Sequence, residues 1–464
     1  MRALFAAATM LIVGLAGCAD EEPLPAQEPV LPVIVEGLGA SHPAYGYLTN
    51  EALPHGDGSA FFEDTDAGRI WFKPPMRPLP DALNTMEPLA QSPQAEATGG
   101  ISVFGSFAYY GGRGSGPLHI LDIRDPAAPE LISSTPDVPV RDADIIAYPD
   151  GRLVLISTSG SASVVATDVT DPTQARLIGV FDTPGSGHNI AVVPGTPIVY
   201  NSGMDIIDFT DPTNPIDHGT WGGDGCHDIA FYISPEKQRA YCAGYANSEI
   251  WDIADPLAPE LIIEIPFPGV FESLPGAVGN TAHQTGADET LGSICTPGTP
   301  ATGPVCPVGH PGFSHLAIVN HDATLLIVGD ETGGGAANAC DFYADAGEAG
   351  TLSGPIGNLY FYDITDETDP IFGGHVSPSF LDAFDPDSPT DSCTAHFGKI
   401  IEDTGFLVMG FYGAGVALVD FRDIYNPVIV DLLDQGGSIW DVWYHAGRLY
   451  TGDMERGLDV IDLA

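Results

Sequence analysis

One short motif recurs along most of the chain and limits the possible folds more than any other feature. In each copy a run of β-forming residues ends in an aspartate, as in the stretch LHILD at residues 118–122. In most copies a second aspartate follows three residues later, then a proline, and then another apolar run. Because aspartate caps turns through its side chain and proline fixes φ, each copy predicts a strand, a tight turn and a further strand. The marker residues are Asp122, Asp168, Asp208, Asp252, Asp363, Asp420 and Asp462.

Two further β-type runs precede each marker, for example Asp228–Ile233 and Ala240–Tyr245. Each unit therefore contains about four short antiparallel strands, and the units repeat roughly every 40 residues. About seven such units predict an all-β, seven-bladed β-propeller of four-stranded antiparallel blades over residues 97–464. Two insertions, at 267–312 and at about 333–356, explain the longer spacing between Asp252 and Asp363.

The motif strand-Asp-x-x-Asp-Pro-x-x-Pro resembles the LVIVD-repeat family of exported bacterial and archaeal proteins. The resemblance covers about residues 97–464. It departs from the pattern at Glu367 and Ile424, which replace the first proline, and at Gln174-Ala175, where the second is lost. The resemblance implies a β-propeller. It implies no general biochemical activity.

The last unit ends at Ala464, directly after its third strand, so the ring needs a fourth strand from elsewhere. Circular propellers usually obtain it from the other terminus. We therefore expect the N-terminal extension, residues 39–96, or the segment just before it to close the ring. The candidate strands are Val33–Leu38 and Arg69–Lys73.

The N-terminus predicts export and lipid anchoring. One arginine and a short apolar run lead to Leu15-Ala16-Gly17-Cys18, an ending that resembles the lipobox of bacterial lipoproteins. The resemblance implies a signal peptide at 1–17 and lipidation of Cys18, followed by an acidic, Pro-rich tether at 18–38. An ordinary secretory signal is the alternative. The residues after Cys18 favour the outer membrane, and they leave open whether the protein faces the periplasm or the cell surface.

Composition narrows the partners. The chain has 63 acidic and 15 basic residues and a formal charge of -48. Such a molecule repels phosphate backbones, so we expect no nucleic-acid partner. A membrane contact through the lipid and a protein or small-molecule ligand at the propeller face are the expected partners.

Six cysteines follow Cys18, and an even number in an exported protein predicts disulfides. Fifteen pairings are possible. We favour Cys295 with Cys306, which share one Pro/Gly-rich loop. The remaining pairs, by elimination, are Cys226–Cys242 and Cys340–Cys393.

Four histidines occupy one repeat position, directly before the first strand of a blade, and first strands line the channel of a propeller. They are His188, His227, His315 and His396, with Asp144 and Asp441 as the expected equivalents in two other blades. A structural plug that bonds the next blade's backbone is one interpretation. A transition-metal site (copper, zinc or iron) is the second, because imidazole suits these ions. Acid–base chemistry without a metal is the third.

Other polar groups could share the channel mouth. Asp330-Glu331 and Asp453 end equivalent second strands, and His283 and His310 lie in the long insertion. No catalytic residue is predicted. The leading functional hypothesis is a binding or interaction scaffold, and the alternative is a metal-dependent enzyme, such as an oxidoreductase, centred on the histidines.

Overall fold

A computed structural model describes residues 61–65, 68–72, 85–92, 98–112, 117–159, 163–183, 187–221, 225–244, 247–265, 314–331, 357–376, 378, 394–401 and 404–463. These residues form seven four-stranded sheets and one two-stranded sheet. A 3-10 turn lies at Pro172–Gln174. The all-β, seven-bladed propeller predicted from the repeat is confirmed.

The first four blades follow one another in the chain. Blade 1 comprises β4 (Thr98–Phe104), β5 (Phe107–Gly112), β6 (Leu118–Asp122) and β7 (Glu130–Thr135). Blade 2 comprises β8 (Ala143–Ala147), β9 (Leu153–Thr158), β10 (Ser163–Asp168) and β11 (Arg176–Asp182). Blade 3 comprises β12 (Ile190–Val192), β13 (Ile198–Asn201), β14 (Asp205–Asp208) and β15 (Ile216–Thr220). Blade 4 comprises β16 (Asp228–Ile233), β17 (Gln238–Gly244), β18 (Asn247–Asp252) and β19 (Glu260–Ile265).

The remaining strands complete the ring and add one hairpin. Blade 5 comprises β20 (Ser314–Val319), β21 (Leu325–Asp330), β22 (Leu359–Asp363) and β23 (Ile371–Val376). Blade 6 comprises β24 (Gly398–Ile401), β25 (Phe406–Gly410), β26 (Val416–Asp420) and β27 (Val428–Leu433). Blade 7 comprises β28 (Ile439–His445), β29 (Arg448–Asp453), β30 (Gly457–Leu463) and β3 (Met86–Gln91). The hairpin is β1 (Phe61–Thr65) with β2 (Gly68–Phe72).

The motif aspartates shape the turn between the third and fourth strands. Asp168 ends β10, and its Oδ1 accepts the backbone N–H of Thr170, at 3.1 Å. The second aspartate, Asp171, repeats this bond to Thr173 at 3.0 Å. The same two bonds occur in the first six blades, so aspartate supplies the turn chemistry at both positions.

The blades close into a circle. The first strand of each blade contacts the first strand of the next, and β28 of blade 7 contacts β4 of blade 1. Apolar clusters fill the spaces between neighbouring blades, as repeated units that cannot bury their faces alone require. The polar inner edges of the first strands are left around the central channel.

The closing strand differs from both candidates named from the sequence. Met86–Gln91 pairs with β30 as the outermost strand of blade 7, whereas β2 pairs with β1, and Val33–Leu38 lies outside the described residues. Pro88 obscures this strand in the sequence, because proline cannot donate to a ladder. It is tolerated here at an edge, where the register shifts between Pro88 and Ala90.

One predicted disulfide is present. Cys226, just before β16, is bonded to Cys242 on β17. The other four cysteines, His283, His310 and both insertions lie outside the described residues.

Candidate functional site

The strand pairing defines which residues are equivalent around the channel. The first and second strands pair in the same way in every blade, so one pair of residues can be matched from blade to blade. This pair is Ile229 with Cys242 in blade 4 and Gly398 with Met409 in blade 6. The residue two positions before the first-strand member of this pair lies at the channel mouth. We call these seven residues the axial ring: Gly99, Arg141, His188, His227, His315, His396 and Trp440.

This register corrects the alignment drawn from the sequence. The four histidines do share one position, but their equivalents in blades 2 and 7 are Arg141 and Trp440. Asp144 and Asp441 lie three residues and one residue further along their strands. An alignment based on apolar runs is easily shifted by one or more residues, whereas a backbone hydrogen bond identifies the equivalent residues directly. The N–H groups of Arg141 and His396 both donate to the carbonyl of an equivalent second-strand residue, at 2.7 and 2.9 Å.

Six of the axial-ring side chains touch in series. The ring centroids of His188 and His227 lie 4.6 Å apart, those of His227 and His315 4.1 Å, and those of His315 and His396 4.2 Å. Trp440 continues the series at 4.1 Å from His396.

Arg141 joins the two ends of this series. Its Nη2 lies 2.8 Å from Nε2 of His188, and its guanidinium lies 5.2 Å from the centroid of Trp440. Gly99 is the seventh position. A Cβ there would lie 2.8 Å from the carbonyl oxygen of Arg141, so only glycine fits beside that backbone.

Burial keeps the central histidines neutral. Burial lowers the pKa of His227 from 6.5 to about 3 and that of His315 well below its usual value. Neighbouring imidazoles lower the pKa of His315 further. At pH 7 these imidazoles therefore carry a lone pair, which is the form that binds a metal.

The hydrogen bonds of two histidines bear on which nitrogen carries that lone pair. Nδ1 of His227 lies 3.2 Å from the carbonyl oxygen of His315, and Nδ1 of His396 lies 2.5 Å from that of Trp440. A carbonyl only accepts, so Nδ1 of His396 carries the proton and its Nε2 carries the lone pair. Nδ1 of His227 also lies 3.4 Å from the amide nitrogen of Asn189, which can donate to it. Metal-binding histidines are typically oriented in this way by a backbone carbonyl.

Glu331 brings a carboxylate to the same histidines. It follows β21 and is 6% exposed. Its Oε2 lies 3.3 Å from Nε2 of His315, and its Oε1 lies 3.6 Å from Nε2 of His396. One ligand atom each from His227, His315 and Glu331 lie within 4.8 Å of one another.

The 3.3 Å between Nε2 of His315 and Oε2 of Glu331 fits two ligands of one ion. With bonds of about 2.1 Å, two ligand atoms lie roughly 3.0 Å apart at a right angle and roughly 3.4 Å apart in a tetrahedron. Two imidazoles and one carboxylate form a donor set typical of iron, zinc and related ions. The residues therefore fit a transition metal.

His188 stands apart from the other three histidines. The guanidinium of Arg141 can only donate, so Nε2 of His188 accepts its hydrogen bond. That lone pair is already engaged. The geometry favours His227, His315 and Glu331 as the ligand set, with His396 next to them, over the four histidines expected from the sequence.

The predicted aspartates link neighbouring blades around the channel. Asp441 Oδ2 accepts the N–H of Ile101 at 2.9 Å, and Asp144 Oδ2 accepts that of Val192 at 2.9 Å. Asp142 bonds Ile190 in the same way at 2.8 Å. These carboxyls satisfy N–H groups on the unpaired inner edges of first strands, which is the role that the plug interpretation gives to ring residues.

A small cavity runs along the channel below the axial ring. Its volume is about 120 Å³, and its lining includes Asp142, Asp228, Asp441 and Lys399. Burial raises the pKa of Asp142 to about 8, and that of Asp228 to about 6. Near neutral pH, Asp142 is therefore mostly protonated, whereas Asp228 is mostly ionised.

Sequence reasoning missed three functional candidates: Arg141, Trp440 and Tyr412. Arg141 and Trp440 could have been found by aligning blades on the backbone register. Tyr412 carries no sequence signal, because only packing brings it to Glu331.

The fold and the site define a class of protein, a β-propeller with a histidine-lined axial site. Comparison with known proteins narrows the class. The LVIVD repeat model matches residues 97–137, which is consistent with an LVIVD-repeat β-propeller. No curated protein matches the sequence. Such a propeller suggests an interaction scaffold.

One solved structure illustrates the fold. The β-propeller domain of Cps50 (Swd1) from Myceliophteria thermophila is similar over 82% of this chain and 100% of that chain, with a TM-score of 0.51 and 9% identity. At that identity the likeness concerns the fold alone. In the described part of this chain, no helix is long and apolar enough to cross a membrane.

Proposed function

We propose that this protein is an exported, lipid-anchored binding propeller that holds one transition-metal ion on its axis. One observation carries the proposal. The donor atoms of His227, His315 and Glu331 lie within 4.8 Å of one another in a buried site. A buried carboxylate is costly without a cation, and neutral imidazoles are metal ligands rather than counter-ions.

His227, His315 and Glu331 would hold the ion, and His396 lies beside them. When bound, it would supply Lewis acidity, or one-electron chemistry if it is iron or copper. The chain's own residues orient the donors. Backbone carbonyls fix the imidazoles of His227 and His396, and the packing of neighbouring blades excludes water from the ring.

Metal content tests the proposal. Full-length protein purified without a histidine tag should contain about one transition-metal ion per chain, measured by elemental mass spectrometry. The double variant His227→Ala/His315→Ala should contain none, because it removes two of the donors. The thermal unfolding transition should remain cooperative in the variant.

A matched control distinguishes the ring from histidines in general. His218→Ala/His375→Ala also removes two histidines, but both lie on outer strands. This control should keep its full metal content. Wild-type protein that stays metal-free after incubation with Fe²⁺, Zn²⁺ or Cu²⁺ would support the structural plug instead.

A metal-dependent enzyme, such as an oxidoreductase, is the second candidate. The observation that favours it is the channel cavity, which begins at residues directly following Arg141, His227 and Trp440 of the axial ring. A small substrate could reach the ion by that route. If the ion is instead structural, the partner surface would be the blade-connecting loops.

The anchor is a separate part of the proposal and has its own test. Cys18→Ser should abolish lipidation, because the lipidated thiol is lost, and should leave an uncleaved or soluble protein. Mass spectrometry of the N-terminal peptide and membrane fractionation measure both effects. Unmodified Cys18 in membrane-extracted wild-type protein would refute the anchor. Outer-membrane placement would be checked by density-gradient separation, and surface exposure by protease treatment of intact cells.

A further inference from the structure

Tyr412 occupies the same repeat position as Glu331, one blade further round. Ala317 pairs with Val328 in blade 5, and Gly398 pairs with Met409 in blade 6. Glu331 lies three residues after Val328, and Tyr412 lies three residues after Met409. Neighbouring blades therefore place a carboxylate and a phenol side by side at the end of the axial ring.

The two side chains are bonded to each other and to the histidines. The phenol of Tyr412 donates to Oε1 of Glu331. The ring of Tyr412 lies edge-on to that of His396, with centroids 4.8 Å apart. Both side chains are buried, at 1% and 6% exposure. The bond engages Oε1, which lies 3.6 Å from Nε2 of His396, whereas Oε2 is the oxygen 3.3 Å from Nε2 of the proposed ligand His315.

The backbone of Tyr412 gives a second, independent observation. Its φ is +44°, in the left-handed region that favours glycine. Met204, at the equivalent position of blade 3, also has a positive φ of +67°. The turn therefore imposes this conformation and would accommodate glycine more easily. A bulky aromatic residue at such a position indicates a role for its side chain.

We propose that Tyr412 is a positioning residue for the metal site, which holds Oε1 of Glu331 so that Glu331 coordinates through Oε2 alone. This inference rests on the proposed function, because it concerns one ligand of the same ion. Restricting the carboxylate to one oxygen keeps the coordination number low and leaves a position open beside the ion. Such outer partners commonly tune metal affinity and geometry.

The test is Tyr412→Phe, which keeps the ring and removes only the hydroxyl. The probe is Co²⁺ alone, added to metal-free full-length protein. Binding should weaken roughly 10- to 100-fold, as is typical when an outer partner of a ligand is lost. The visible absorption of bound Co²⁺ should also lose intensity, because a two-oxygen carboxylate raises the coordination number. A merely structural tyrosine would not change that spectrum.

The control is Tyr200→Phe, which also removes a buried hydroxyl. That hydroxyl donates to the carbonyl oxygen of Pro256, away from the axial ring. The control should bind Co²⁺ with the wild-type affinity and spectrum. Circular dichroism and melting curves establish that each variant is folded.

The outcomes separate the two ideas. If wild-type protein binds Co²⁺ and Tyr412→Phe binds it with the same affinity and spectrum, the positioning role is refuted while the metal site stands. If Glu331→Gln abolishes binding and Tyr412→Phe weakens it, both are supported. If wild-type protein binds no Co²⁺, both are overturned. If Tyr412→Phe does not fold, Tyr412→Met, which introduces the residue found at the equivalent position of blade 3 and has no hydroxyl, replaces it in the comparison.

Discussion

Val460→Asp should unfold the propeller or lower its free energy of unfolding by about 4 kcal/mol or more. Val460 lies on β30 and is fully buried. It packs in the cluster that joins blade 7 to blade 1, together with Leu458, Tyr450 and Ile101. An aspartate there would leave a charge in the core at the seam of the ring, one of the few mechanisms with so large an effect. Urea unfolding followed by tryptophan fluorescence measures it.

Val180→Asp is the matched control, because it makes the same substitution on the outer strand β11, where Val180 is 55% exposed. Its effect should stay within about 0.5 kcal/mol. Deleting residues 458–464 should be at least as damaging as Val460→Asp, since β30 also carries the closing strand β3. A truncated protein with the wild-type melting temperature would contradict ring closure.

Asp142→Asn should gain stability relative to the wild type as the pH rises from about 4 to about 8. Burial, together with the nearby carboxyls of Asp228 and Asp441, raises the pKa of Asp142 from 3.8 to about 8. Between these pH values the unfolded chain has lost a proton that the folded chain keeps. The contribution of Asp142 to the free energy of unfolding of the wild type is therefore present at low pH. It falls by about 1.4 kcal/mol for each pH unit across this range.

Asparagine does not titrate, so the difference in unfolding free energy between variant and wild type should rise across this window. At low pH the variant is expected to be the less stable protein, because its amide nitrogen cannot accept one of the two backbone bonds that Asp142 makes. Urea midpoints at pH 5, 6, 7 and 8, in the presence of a chelator, measure the difference. A difference that stays constant would refute the raised pKa.

Asp125→Asn provides the control, because Asp125 also accepts a backbone N–H but lies exposed on the outer turn of blade 1. Its difference from the wild type should change little over the same range. The pH dependence of wild-type stability does not by itself isolate the contribution of Asp142. Burial lowers the pKa of His227 to about 3, so its contribution has the opposite sign and is lost as pH falls below 6.5.

The sequence by itself determined the fold. Strand and turn preferences are local, and the two aspartates of each motif bond backbone groups only two residues away, so their role is readable without tertiary information. The repetition of that local signal specifies the number of blades and their four strands. It also placed the four histidines at one repeat position. The Cys226–Cys242 bond followed from elimination among the cysteines.

Only the tertiary structure decided the rest. The closing strand Met86–Gln91 contains a proline and little alternation, and it becomes a strand because β30 offers an unpaired edge. The bond between Arg141 and His188 joins residues 47 positions apart, and that between Tyr412 and Glu331 joins residues 81 apart. Such contacts depend on how blades meet, which no local preference encodes. For that reason the sequence predicted a ring of histidines, and only the fold showed which of them lie beside Glu331.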